Sequence, residues 1–271
     1  MNIILIGSTG YLGSKLLKKL EEEKHNILCT IRNHSFLNKK NYVYVDDQHF
    51  FNKLNIFNSD LLIYTACVYE KSNTSYIDII NSNFLFPLNL LNKVKTKTFL
   101  YIGTSLEKFT NQYSLSKHQF AEYGKYYSSN INNINFFNIK LESFYGKDEP
   151  NDRFISNIIN KLQNNEDINL TMGTQIRDFI YIDDVINGIN SIIKSNLKGY
   201  YDIPLGTGEG ISIRNLVEYL KNILNSKSKL NFGAIPLRKN EHSGIADLSI
   251  MKKLNFEIKL DIKTSIKQYM L

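Results

Sequence analysis

The sequence predicts an α/β protein in which a doubly wound parallel sheet is followed by a smaller C-terminal lobe. Three observations carry this reading. The chain opens on an apolar run, Asn2 to Ile6, that breaks into three evenly spaced glycines, Gly7, Gly10 and Gly13. Short apolar strands then alternate with helix-patterned stretches as far as Leu141, which is the pattern of parallel strands joined by right-handed crossovers. After Gly146 the alternation thins. The expected division is therefore a sheet domain over 1–146, with some later segments returning to it, and a lobe made mainly of 147–271. A chain of 271 residues, 42% hydrophobic and 22% charged, has the length and composition to bury a large core.

The first strand, Asn2–Ile6, carries an apolar run rich in Ile and Leu, as a strand buried on both faces must. A helix is predicted from Tyr11 to Lys24. Between them the glycines allow a tight turn, a close approach of backbone to a pyrophosphate, and close packing of helix on strand. The helix N-terminus adds free N–H groups and the positive end of its dipole. Gly7, Thr9, Gly10, Tyr11 and Leu12 are assigned to cofactor binding on this ground. The second strand, Asn26–Ile31, ends at Arg32, about 20 residues past the turn, where an acidic residue selects NAD and an arginine complements the 2′-phosphate of NADP. Arg32 thus points to NADP(H) over NAD.

A third strand over Asn41–Val45 ends at Asp46 and Asp47, and Asp46 is placed to meet the adenine amino group. The fourth, Asp60–Thr65, runs into the small residues Ala66 and Cys67, which let a cofactor lie close; Ala66 is assigned to it. Thr74–Val94 reads as largely helical, with Asn83 inside it. Thr98–Gly103 is the fifth strand, followed at once by Thr104 and Ser105. Gln112–Ser128 is a helix and Asn135–Leu141 the sixth strand. Beyond Gly146, helices are expected over Asp152–Asn164, Asp184–Lys194 and Ser212–Asn225, with Ser212 as N-cap, and near 248–254 and 262–269. Short strands are expected over 169–172, 179–182 and Tyr200–Ile203.

Composition excludes several classes. The net charge is +7, but the lysines are scattered and no basic stripe with interleaved aromatics exists, so no nucleic-acid partner is expected. Part of that charge suits the steering of an anionic ligand. No apolar run approaches the roughly 20 residues of a membrane span. The IILI run has no basic region before it and is a strand, not a signal peptide. Cys29 and Cys67, both placed in or at the end of strands, have neither metal nor disulfide spacing, which fits a reducing, cytoplasmic setting. No metal site is expected.

Tyr113 and Lys117 lie four positions apart on a predicted helix, so both project from one face. A free phenol has a pKa of about 10, and an ammonium one turn away is expected to lower it toward neutrality. Thr104 and Ser105 leave the fifth strand, and either can place a hydroxyl against the same substrate oxygen. Hydroxyl, phenol and ammonium around a nicotinamide make a site for moving hydride to or from a carbinol carbon. Tyr11 and Lys15 repeat the spacing, but they lie in the first helix under the glycine turn and follow no fifth strand.

Four passages together resemble the extended short-chain dehydrogenases/reductases of the nucleotide-sugar epimerase/dehydratase superfamily: GSTGYLG at 7–13, IGTS at 102–105, YSLSK at 113–117 and RDFIYIDDV at 177–185. The resemblance implies a Rossmann-type domain, a smaller nucleotide-sugar lobe and a catalytic set of Thr104, Tyr113 and Lys117. It also implies that Lys117 holds the nicotinamide ribose, that Tyr113 passes a proton to or from the sugar oxygen, and that Asn83 supports the site. It places Arg177 on the substrate diphosphate, Arg238 as a second diphosphate arginine, and Ser105 and Ser143 beside the substrate. Members commonly form homodimers through the helices that match Thr74–Val94 and Gln112–Ser128.

The departures narrow the reaction. Only nine positions separate Thr104 from Tyr113, and Ser143 stands where the family more often has asparagine. No Asp–Glu pair follows Thr104, so the acid and base of a 4,6-dehydratase are missing. YSLSKHQFAEYGK and LESFYG are similar to the 4-ketoreductases of the CDP-abequose and CDP-paratose type. The expected function is NADPH-dependent reduction of a nucleotide-activated 4-keto-6-deoxyhexose for surface polysaccharide. An NAD-dependent 4-epimerase is the alternative, and a non-catalytic NADP-binding regulator would need no Tyr–Lys pair.

Overall fold

The computed structural model describes residues 1–32, 41–131, 134–237 and 244–270, the last without its side chain. Arg238 and the loop 33–40 lie outside the described residues. The chain forms two compact units. The first holds 1–104, 111–140 and 194–203; the second holds 105–110, 141–193 and 204–271. The first unit thus stops at Lys140, not 146, and takes back a segment from the second half of the chain.

The first unit is built on a seven-stranded sheet. Its strands are β1 (Asn2–Ile6), β2 (Asn26–Ile31), β3 (Tyr42–Tyr44), β4 (Ser59–Tyr64), β5 (Thr96–Ile102), β6 (Asn135–Leu141) and Tyr200–Leu205. The last of these lies outside β6, and the order from that edge continues β6, β5, β4, β1, β2, β3. All pairs from β6 to β3 are parallel. The sheet edge beyond β6 is what draws Tyr200–Ile203 back into this unit.

The central strands read as unbroken apolar runs because both of their faces are covered. Ile3, Ile4, Leu5 and Ile6 of β1 and Leu61, Leu62 and Ile63 of β4 are all buried. Each such side chain contributes about 1.5–3 kcal/mol over its exposed state. Helix α1 (Tyr11–Glu22) buries Leu12, Leu16 and Leu20, one stripe at i, i+4 spacing. Helix α2 (Phe50–Phe57), absent from the sequence expectations, buries Phe50 and Leu54 and ends at Asn58 in the left-handed region. Helix α5 (Gln112–Asn130) places Phe120 among Phe99, Tyr101 and Phe136, an aromatic cluster with ring centroids 4.7–6.4 Å apart.

The helical stretch expected over Thr74–Val94 is continuous but not uniform. Helix α3 (Tyr76–Ile80) passes into a π-helical turn, Asn81–Leu85, and then into α4 (Phe86–Lys93). The cause is Pro87, which has no N–H to give the Asn83 carbonyl. That carbonyl accepts instead from the Tyr101 hydroxyl at 3.2 Å, and the Ser82 carbonyl accepts from Tyr64.

The second unit contains three small two-stranded sheets. Ser143–Tyr145 pairs in parallel with Phe179–Tyr181, Ile168–Leu170 in parallel with Leu230–Phe232, and Ile176–Arg177 antiparallel with Ile211–Ser212. Helices Phe154–Gln163, Ile182–Ile193 and Ile213–Ile223 bury their apolar stripes, and Ser212 caps the third by accepting from Asn215 N–H at 3.1 Å. The second helix starts at Ile182, so Asp184 lies inside it and its buried carboxylate accepts from the N–H groups of Lys259 and Leu260. Tyr145 bonds Ser265 on the last helix, Ile262–Met270. Cys29 lies in β2 and is buried; Cys67 lies just past β4, in loop and not in strand, and is partly exposed.

Candidate active site

In the first unit, the residues assigned from the sequence gather at the carboxyl ends of neighbouring strands, the edge where open α/β sheets bind ligands. The glycine turn follows β1, Arg32 follows β2, Asp46 lies past β3, Ala66 past β4 and Thr104 past β5. Parallel pairing keeps these ends adjacent: Ile6 is in register with Thr30 and Tyr64, and Ile31 with Tyr44.

The turn has the shape of an anion cradle. Gly7 has φ +87°, and a side chain there would come within 2.7 Å of Ala66 N. A Cβ on Gly13 would lie 2.0 Å from the Gly7 carbonyl oxygen, so α1 can sit this close to the turn only without it. A Cβ on Gly10 meets nothing nearer than that same oxygen at 3.4 Å, an ordinary van der Waals contact, so a methyl there clashes with no protein atom. Helix α1 has Gly10 as N-cap, no capping side chain and no acidic residue in its first turn. The Ser8 hydroxyl is buried without a hydrogen-bond partner among the described residues. An orphaned hydroxyl, a helix N-terminus free of acidic side chains and an uncrowded Gly10 fit a dinucleotide diphosphate. Ala66 packs under the turn, and Thr65 Oγ1 donates to the Ile6 carbonyl at 2.8 Å. Thr9 is exposed and Tyr11 half-buried, but the Leu12 side chain points into the core, which leaves only its backbone for a ligand. Arg32 and Asp46 are both exposed.

Tyr113 and Lys117 project from the first turns of α5, whose start is firmly set. Asn111 accepts from Ser114 N–H at 2.8 Å while Ser114 Oγ accepts from Asn111 N–H at 3.1 Å, a capping box. Glu70 adds an acceptor for Gln112 N–H at 2.7 Å. Tyr113 is 8% exposed and hydrogen-bonded to Thr104, itself buried. Lys117 is 2% exposed, and its Nζ donates to the Ile102 carbonyl at 2.7 Å and lies 4.6 Å from the Tyr101 ring. Asn83, buried in the π turn, holds Val68 at both N–H and C=O, each at 2.9 Å, and donates to Ser116 Oγ at 3.2 Å.

The phenol does not behave as the spacing alone predicts. Burial pushes the Tyr113 pKa well above its ordinary value, helped by Tyr69, Cys67 and Tyr101, and the Thr104 bond only partly opposes this. Lys117 Nζ lies 5.8 Å from the Tyr113 ring and does not reverse the shift. Burial also brings Lys117 itself down to about 8. Tyr113 is therefore a neutral phenol at neutral pH, suited to donating a proton.

In the second unit, Ser105 donates to Glu142 Oε2 at 2.8 Å, and Glu142 is buried. Ser143, half-buried, pairs with Phe179, and Arg177, half-buried, pairs with Ile211 and bridges to Gly244. Asp178 is wholly buried and accepts from Thr207 N–H and Oγ1 and from the N–H groups of Gly208 and Ala246. Sequence reasoning missed Tyr69, Glu142 and Asp178 as parts of these clusters. Glu142 had a weak signal in its place beside Ser143; Tyr69 had none. Among the described residues no acidic, histidine or cysteine group could hold a metal, and no helix is long and apolar enough to cross a membrane.

Comparisons with known proteins agree with this architecture. CDP-abequose synthase of Salmonella muenchen is 29% identical over 281 residues, covering 98% of this chain and 96% of the relative. The CDP-abequose synthase of Yersinia pseudotuberculosis is 27% identical over 86% of the chain and 88% of its own length. Among solved structures, UDP-glucuronic acid 4-epimerase from Bacillus cereus, in complex with UDP-glucuronic acid and NAD, aligns with TM-score 0.85 at 18% identity, covering 99% of this chain and 98% of that one. UDP-glucose 4-epimerase from Thermotoga maritima, with UDP-glucose, aligns at 0.83 and 17%, covering 99% and 97%. At these identities the structures share the fold. The profile of the NAD dependent epimerase/dehydratase family matches residues 3–203, and the chain belongs to that family.

Proposed function

We propose that the protein reduces the 4-keto group of a nucleotide-activated 4-keto-6-deoxyhexose with NADPH, as a step in making a deoxysugar for surface polysaccharide. The observation that carries the reading is the buried Thr104–Tyr113–Lys117 set on the same sheet edge as the glycine turn. The near full-length likeness to CDP-abequose synthases supports a deoxysugar substrate carried on a nucleoside diphosphate.

In this reading the bound nicotinamide supplies the hydride that reduces the carbonyl carbon. Thr104 orients the carbonyl oxygen, and Tyr113, neutral at working pH, gives its proton to the alkoxide formed there. The protein and solvent then return a proton to the phenolate. Lys117 holds the cofactor ribose and stabilises that phenolate by its charge. Arg32, exposed past β2, supports NADPH as the form used. Arg177, with Ser143, serves the substrate in the second unit, where Ser105 is held by Glu142, and Arg238 acts with Arg177 on the diphosphate. Exposed Tyr76, Ile77, Leu85, Tyr123 and Tyr126 on α3, the π turn and α5 support a homodimer formed through these helices. The setting is cytoplasmic.

The test is NADPH oxidation by the purified protein against a panel of 4-keto nucleotide sugars, CDP-linked ones first, with the product resolved by NMR. Tyr113→Phe is expected to lower kcat by about 10²–10⁴-fold while NADPH binding persists. A second reading, an NAD-dependent 4-epimerase, is favoured by the NAD in the B. cereus neighbour. Protein that is isolated with NAD(H) and interconverts two nucleotide sugars without added cofactor would establish it and overturn the reductase.

A further inference from the structure

Tyr69 lies over the Tyr113 ring with centroids 4.8 Å apart and planes 28° from parallel. The two residues share no secondary element: Tyr69 is in the loop after β4, and Tyr113 is on the first turn of α5. The loop holds this position because both neighbours of Tyr69 are fixed. Val68 is gripped at N–H and C=O by the Asn83 side chain, at 2.9 Å each. Glu70 accepts from Gln112 N–H at 2.7 Å, one residue before Tyr113. Asn83 in turn donates to Ser116 Oγ, which bonds the Tyr113 carbonyl at 2.8 Å. The loop and the start of α5 are therefore one hydrogen-bonded assembly around the stacked rings. Tyr69 is 43% exposed, so one of its faces meets solvent while the other covers a ring that is 8% exposed.

We propose that Tyr69 is a positioning residue for Tyr113: its ring walls one face of the phenol, fixes the ring's orientation and keeps water from it. The proposal rests on the reading that Tyr113 is the proton donor. A stacked aromatic pair restricts its partner's rotation at little cost to the remaining exposed face. The other groups facing Tyr113 are Cys67 from the same loop, Tyr101 from β5, Thr104 beyond β5, and Lys117 one turn along α5, with the Glu70 carboxylate one residue away on Gln112 N–H. Among the described residues, Tyr69 is the one that covers a face of the Tyr113 ring by stacking. Its removal admits water to the phenol and takes away a neighbour that can itself become anionic. Both changes make Tyr113 easier to ionise.

The test uses Tyr69→Ala, which removes the ring, and Tyr69→Phe, which keeps the stack and removes the hydroxyl. Phenolate formation at Tyr113 is read by ultraviolet difference titration, subtracting the matched Tyr113→Phe protein in each background so that the other tyrosines cancel. This readout needs no substrate, so it decides the proposal even if no nucleotide sugar is turned over. The Tyr113 step is expected about one pH unit lower in Tyr69→Ala, and lower by only part of that in Tyr69→Phe, which keeps the ring over the phenol but loses the ionisable hydroxyl. With substrate, Tyr69→Ala is expected to lower kcat about tenfold with KM nearly unchanged, and Tyr69→Phe to restore it. A Tyr113 titration that is the same in Tyr69→Ala as in the parent overturns the proposal, as does a Tyr69→Phe protein as impaired as Tyr69→Ala.

Discussion

The Ser105 hydroxyl donates a hydrogen bond to the buried carboxylate of Glu142 at 2.8 Å, while its chain neighbour Thr104 bonds the Tyr113 phenol. Two adjacent hydroxyls, read as interchangeable from the sequence, are thus committed to different partners. Thr104→Val is expected to cut kcat about 100-fold, since it removes a hydroxyl aimed at the reacting oxygen. Ser105→Ala is expected to show its loss in stability, about 1–3 kcal/mol by denaturant unfolding, because a buried carboxylate loses a donor. A Ser105→Ala protein with wild-type unfolding and the Thr104→Val loss in kcat would reverse the assignment.

Gly10 and Gly13 separate binding from folding. An alanine at 13 drives its methyl against the Gly7 carbonyl, a backbone atom that cannot swing away. Gly13→Ala is expected to lose about 1–3 kcal/mol of stability. Gly10 has φ −76°, which alanine tolerates, and a Cβ there makes one ordinary contact, with the Gly7 carbonyl oxygen at 3.4 Å. Gly10→Ala is expected to unfold close to the parent but to bind NADPH at least about tenfold more weakly, because the methyl occupies the diphosphate's place. Fluorescence titration with NADPH checks this, and unchanged affinity would remove the turn from cofactor binding.

Lys117 makes stability depend on pH. Burial brings its pKa from 10.5 to about 8, so between those values the unfolded chain holds a proton that the folded protein has released. Stability therefore rises with pH through this window, by at most about 1.4 kcal/mol per unit. The raised phenols of Tyr64, Tyr101 and Tyr113 act oppositely once unfolded tyrosine ionises near pH 10, which confines the clean window to about 8–9.5. Lys117→Met is expected to be more stable at pH 7 and to lose the rise. A parallel pH dependence in the two proteins would contradict the buried ammonium.

Arg32→Asp tests cofactor choice. Replacing the cation past β2 by a carboxylate is expected to raise KM for NADPH about tenfold or more and to leave KM for NADH little changed. Steady-state kinetics with both cofactors measure it. Equal changes would take Arg32 out of the cofactor argument.

Much of the fold is legible in the residues themselves. Unbroken apolar runs at Ile3–Ile6 and Leu61–Ile63 place these strands at the sheet centre, and the glycine spacing marks the turn between β1 and α1. The π turn was not legible, because nothing in the pattern around Asn83 shows that the missing N–H of Pro87 would redirect a carbonyl to Tyr101. Helix α2 was hidden because FFNKLNIF is too short for its period to stand out.

The sequence by itself determined the parallel sheet, the glycine turn and the pairing of Tyr113 with Lys117 on one helix face, since these depend on spacing along one strand or helix. Only the tertiary structure decided the protonation of Tyr113, the partner of Ser105 and the stacking of Tyr69. Burial depends on every element packed around a group, and contacts such as Tyr69–Tyr113 and Ser105–Glu142 join residues 44 and 37 positions apart. A charge one helical turn away can be read from spacing; the desolvation that outweighs it cannot.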